Sequence, residues 1–125
     1  MSIVVSKGDF LNGSHIKSMS DMPIILAMAN PIPEIMRDVA RDAGVVGVGT
    51  GRSDFPNHVN NVLPFPGIFR GFLDAGAAQI KEETQLAAAR AFAAYVESPT
   101  AELILPDPLD SRVARCVAAA VGEAS

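Results

Sequence analysis

A chain of 125 residues with a net charge of -4 and a pI near 5.0 has room for one domain, or part of one, with a modest core. Its Lys and Arg are few and scattered, which excludes a nucleic-acid surface, since phosphate contact needs clustered cations. The single Cys116 excludes an internal disulfide, and no Cys/His spacing resembles a zinc site, so a cytoplasmic, reducing compartment is expected.

The opening apolar run Ile3-Val4-Val5 is too short for a signal-peptide core or a membrane span, so no membrane partner is expected, and the run reads as a strand. Starting almost inside an element suits either a piece of a larger domain or a short edge strand. A turn-rich loop from Gly8 to Gly13 follows, and Ser14 opens a short helix through Met19. Ile24-Ile25-Leu26-Ala27-Met28, bounded by Pro23 and by Asn30-Pro31, reads as a buried parallel strand. Pro31 and Pro33 keep the next residues extended. Glu34 to Asp42 then forms a helix with Ile35, Met36 and Val39 inward, ended by Gly44.

Val45-Val46-Gly47-Val48 is the third apolar run, expected to be covered on both faces. It enters a polar loop, with Asp54, Pro56 and Asn57 as turn residues and Asn57 or Asn60 available as a helix cap. From Asn61 to Phe72 nearly every residue is apolar, Gly or Pro, so a helix buried almost all round is expected, with Asn60 and Asn61 at its buried entrance. Ile80 to Val96 reads as a long helix whose apolar stripe is Leu86, Ala89, Ala93 and Val96, stopped by Ser98-Pro99. Leu103-Ile104-Leu105 is an extended link, and Asp110 caps a last helix bearing Val113, Val117, Ala120 and Val121. Alternating strands and helices followed by helices alone predict an α/β fold: a partial Rossmann-like parallel sheet with flanking helices and a helical C-terminal tail.

Several motifs fail on inspection. In Gly47-Val48-Gly49-Thr50-Gly51 the third glycine of a dinucleotide fingerprint falls at Arg52, and the loop runs into Phe55-Pro56 instead of a helix. Gly51-Arg52-Ser53-Asp54-Phe55 lacks the last glycine of a nucleophile elbow, so Ser53 reads as a turn residue. His15 sits on a helix surface, and nothing in the spacing fixes a carboxylate beside His58. Asn30 is placed better, because ligands of an open parallel sheet bind at the carboxyl ends of its strands, and an amide offers both a donor and an acceptor. Residue type alone leaves Asn30 as either a turn residue or a ligand contact. It leaves Asn60 and Asn61 as either backbone-locked caps or a pair offered to a ligand.

The strings themselves carry a resemblance. Ala27-Met28-Ala29-Asn30-Pro31-Ile32-Pro33-Glu34-Ile35, the run from Gly49 to Asn57, Val59-Asn60-Asn61-Val62-Leu63 and Phe65-Pro66-Gly67-Ile68-Phe69-Arg70-Gly71 together closely resemble the bacterial-type malic enzymes. The similarity covers essentially all of residues 1–125, with departures at His58 (usually Gln), Pro64 (usually Ala) and Ser111 (usually Pro). It implies the C-terminal part of that family's NAD(P)-binding domain. It further implies the activity of the complete enzyme: L-malate to pyruvate and carbon dioxide, with reduction of NAD or NADP and a Mg2+ or Mn2+ ion. By the same likeness Asn30 contacts both cofactor and substrate, and Asn60 and Asn61 contact malate. The family's acid/base Tyr and Lys, metal carboxylates and phosphate loop belong upstream, so no catalytic or metal-binding residue is assigned here and the isolated chain is expected to be inactive. The alternatives are half of a split enzyme completed by an upstream partner, a homo-oligomer, or a non-catalytic subunit or remnant acting as an interaction module.

Overall fold

The computed structural model describes residues 1–125, which divide into two compact units: residues 1–59 with 99–105, and residues 60–98 with 106–125. The first is a parallel three-stranded sheet in the order β1 (Ser2–Val4), β2 (Ile24–Ala27), β3 (Gly47–Thr50), with Ile3 opposite Leu26 and Leu26 opposite Gly49. Parallel neighbours need crossovers, and α1 (Gly13–Lys17) and α2 (Arg37–Asp42) supply them. Ile16 of α1 and Ala40 of α2 pack into one cluster with Ile25, Ala27, Ile35, Val45 and Val48. Ile25 and Ala27 share a face of β2, so both helices cover the same side of the sheet.

That one-sided cover corrects the reading of β2 as continuously buried: its residues alternate between half-buried and buried. β3 is buried throughout, as expected of a strand with both faces covered, but it starts two residues later than the apolar run, and Val46 is exposed. The extra cover comes from 99–105, whose Ile104 lies against Gly47. α1 is capped by Asn12, whose side chain accepts from Ser14 and His15 while His15 bonds back to the Asn12 N–H, so Ser14 is inside the helix and does not open it. α2 starts at Arg37, not Glu34, because Pro33, Glu34 and Ile35 are buried in the preceding loop. The later start turns Ala40 inward and leaves Val39 exposed, against expectation.

The second unit is a bundle of α3 (Phe65–Asp74), α4 (Glu82–Ala94) and α5 (Ser111–Glu123) with its own core of Ala88, Val113, Val117 and Val121. Asp110 caps α5 through the Arg112 N–H, as its position suggests, and Val113, Val117 and Val121 are buried. α3 is not buried all round. Gly67 and Gly71 press against Val117 and Val121, while Phe65, Phe69 and Leu73 stay exposed on the opposite side. The buried stripe of α4 is also not the expected one. Thr84 and Ala88 are inward, continued by half-buried Ala91, Phe92 and Tyr95, whereas Leu86, Ala89 and Ala93 face out. Alanine fits either face, so tertiary partners decide: the Thr84 hydroxyl donates to the Ala124 carbonyl, and Tyr95 donates to Asp110 Oδ2 at 2.7 Å. No helix is long and apolar enough to cross a membrane.

Candidate substrate-facing site

Asn30 stands three residues beyond the end of β2, exposed, at a cis peptide bond to Pro31. The loop that carries it is braced from beneath. Glu34 is fully buried, and its carboxylate accepts the Ser6 N–H at 2.6 Å and the Ala29 N–H at 3.0 Å. Ser6 follows β1 and Ala29 follows β2, so one side chain ties together the carboxyl ends of two strands. Backbone bonds add to it: the Pro33 carbonyl accepts from Asp9 and the Glu34 carbonyl from Leu11. Glu34 was legible only as a helix residue, because its partner Ser6 is 28 positions away and no local pattern announces such a bond.

The polar loop after β3 closes on itself. The Thr50 N–H donates to the Asn57 carbonyl at 3.3 Å, and the Val59 N–H returns to the Thr50 carbonyl at 2.8 Å. Asn57 neither caps a helix nor faces outward. It is buried with a φ of 57°, and its amide nitrogen donates to the Val48 and Ala101 carbonyls while its oxygen accepts the Ile104 N–H at 2.8 Å. Within the loop Arg52 forks onto Asp54 and lies over the Phe55 ring at 4.9 Å. That guanidinium holds the Asp54 carboxyl below its ordinary range, and the carboxylate raises Arg52 in return. A Cβ on Gly49 would lie 2.7 Å from Leu26 Cδ2 and 3.0 Å from Val59 Cγ2, so its space is filled by protein.

Asn60 and Asn61 open the helical unit, whereas Asn30 belongs to the sheet unit. Both members of the pair are exposed, which corrects the expected buried entrance: the helix starts only at Phe65, after a turn, and its first residue follows Pro64 with no side-chain cap. The two amides differ. Asn60 Oδ1 accepts the Val62 N–H at 3.0 Å, a local turn bond, while Asn61 contributes its backbone carbonyl to the Phe65 N–H and leaves its side chain exposed. His58 bridges by backbone to Thr50. Tyr95 is committed to Asp110, and no group of three His, Cys, Asp or Glu residues is placed to hold a metal ion.

No family model matches the chain. It is 54% identical over 125 residues to the bifunctional malic/malolactic enzyme of Bacillus subtilis, covering 98% of this chain and 30% of that protein. It is 47% identical to the NAD-dependent malic enzyme of Geobacillus stearothermophilus, of which it covers 26%. Other relatives are named NADP-dependent malic enzymes. The crystal structure of a malic enzyme from Pyrococcus horikoshii superposes with a TM-score of 0.91 at 43% identity, over 98% of this chain and 28% of that one. The chain thus spans about 30% or less of the length of the relatives it matches. Sequence and fold align over 98% of the chain, which is similar to a segment of those longer malic enzymes.

Proposed function

We propose that residues 1–125 supply the substrate-facing, C-terminal part of the dinucleotide domain in a cytoplasmic malic enzyme. The complete enzyme would oxidise L-malate at C2, pass hydride to NAD or NADP, and release carbon dioxide and pyruvate. The reading is carried by 54% identity over 125 residues to a relative named for malic activity. In this reading Asn30, at the carboxyl end of a parallel strand, uses its amide toward the nicotinamide end of the cofactor and toward malate. Asn61 donates its amide N–H to a malate carboxylate, and Asn60 shapes the turn that presents it.

The divalent cation of the complete enzyme does not fit these residues, since they bring no three candidate ligands together, and no step is assigned to a metal here. We therefore expect the 125 residues alone, mixed with malate, a divalent cation and either dinucleotide, to reduce no cofactor. Steady reduction that depends on the metal would refute this.

The decisive experiment supplies the remaining region in trans or by fusion and then substitutes Asn61. Loss of a charge-assisted bond of about 1.5 to 3 kcal/mol in Asn61→Ala should raise the malate KM roughly tenfold to a hundredfold, with little change in the dinucleotide KM. If Asn61 serves only the turn, the variant instead melts earlier with malate kinetics intact. Asn30→Ala is expected to disturb both constants.

A further inference from the structure

We propose that Glu34 is a positioning residue for Asn30, holding the substrate-facing loop in register by binding the backbone at the ends of β1 and β2 together. This inference rests on Asn30 contacting ligand. It starts from an oddity of the core: a carboxylate with no exposure, sealed between Pro33 and Ile35, where an apolar side chain would fill the space at less desolvation cost. No cation pairs with it; its two oxygens take one backbone N–H each, from Ser6 and from Ala29.

The geometry suits a carboxylate. Two N–H donors from different chain passes meet its two oxygens, one each, and a carboxylate accepts at both without presenting a donor to either. Glutamine has the same shape but one oxygen, and its NH2 would confront the second donor. The Ala29 bond fixes the Met28–Ala29 peptide, one peptide short of Asn30, and Pro31 and Pro33 stiffen the chain on the other side. A second feature holds the same loop farther along, at Ile32. Gly8 lies so close to Ile32 that a Cβ there would come within 2.7 Å of the Ile32 Cβ and 3.0 Å of its carbonyl oxygen. The loop is therefore held at Ala29 by the Glu34 carboxylate and at Ile32 by the close approach of Gly8, with exposed Asn30 between the two points.

The test is made in the complete enzyme carrying this segment, with Glu34→Gln, Gly8→Ala and Asn30→Ala measured below their melting midpoints. Amide hydrogen exchange over residues 28–32 is read beside the malate and dinucleotide KM and kcat. Glu34→Gln is expected to speed exchange over that loop and to raise both KM values roughly tenfold or more, reproducing the Asn30→Ala signature although it removes no group that touches ligand. Gly8→Ala, which leaves the carboxylate in place, is expected to do the same and carries the test alone should Glu34→Gln fail to fold. Unaltered exchange, or a lowered melting point with wild-type kinetic constants, overturns the positioning role. The two readings fail separately: constants untouched by Asn30→Ala overturn the ligand role of Asn30, whereas constants raised by Asn30→Ala but not by Glu34→Gln or Gly8→Ala overturn the brace.

Discussion

Asn57 shows how much a single amide carries in this chain. It is one of three non-glycine residues with positive φ, a conformation that Asn tolerates better than most side chains, and it uses both ends of its amide on buried backbone. Asn57→Ala leaves the Val48 carbonyl and the Ile104 N–H without a partner, and should destabilise by on the order of 2 to 4 kcal/mol in denaturant unfolding. Asn57→Gly relieves the backbone but not the lost bonds, so it should recover only a minor part. A second polar knot joins α4 to α5. Asp110 accepts from the Arg112 side chain, from Tyr95 and from the Arg112 N–H, and these bonds hold its carboxyl well below the usual carboxylate range. A depressed folded value contributes stability above the unfolded carboxylate range that is lost as pH falls through the folded value. The Tyr95 phenol is raised by the same carboxylate, so its contribution is present below its unfolded range and is lost as pH rises through the raised value. Melting midpoints across pH should therefore fall at both extremes, and Asp110→Asn should weaken the tie at neutral pH while flattening the acid limb.

At the scale of elements, α3 and α5 meet through glycine. A Cβ on Gly67 would lie 2.6 Å from the Ala114 carbonyl oxygen and 2.7 Å from Val117 Cβ, and one on Gly71 would strike the Ala118 carbonyl and Val121. Glycine four residues apart gives α3 a groove into which the valines of α5 fit. Alanine is the better helix former by about 1 kcal/mol, so isolated propensity predicts that Gly→Ala here stabilises. Overpacking runs the other way at about 1 to 3 kcal/mol, against backbone that cannot swing aside. We expect Gly71→Ala and Gly67→Ala each to lower the melting midpoint; a rise in either would show that the helices separate freely.

For the molecule as a whole, the exposed apolar surface is what stands out. Within the helical unit Val62, Phe65, Phe69 and Leu73 are all exposed, and the Phe65 and Phe69 rings contact each other at 5.9 Å between centroids. Within the sheet unit β1 is an edge strand that exposes Ile3, followed by exposed Val5. Aligned apolar side chains and an unpaired strand edge both favour association. The 125 residues studied alone should sediment as a concentration-dependent mixture of species, and Phe69→Glu should shift that distribution toward the monomer. A single monomeric species at every concentration would contradict this expectation.

Runs and punctuation in the sequence determined the α/β class, the three strands, the cap at Asp110 and the valine face of α5, because these depend on short-range rules of period, propensity and capping. The ordered strings around Asn30 and from Gly49 to Gly71 were enough to indicate the malic enzymes, and a relative at 54% identity bears that out. Only the tertiary structure decided which way α2 and α4 face; Ala-rich α4 has no preferred side until Thr84 and Tyr95 find their partners just after and just before α5. It also decided that one side of α3 stays uncovered, and that the Asn60 side chain serves a turn while Asn57 holds buried backbone. Glu34 is the clearest case: the sequence reads it as the first residue of a helix, and its burial follows from two N–H groups brought together by strands far apart in the chain.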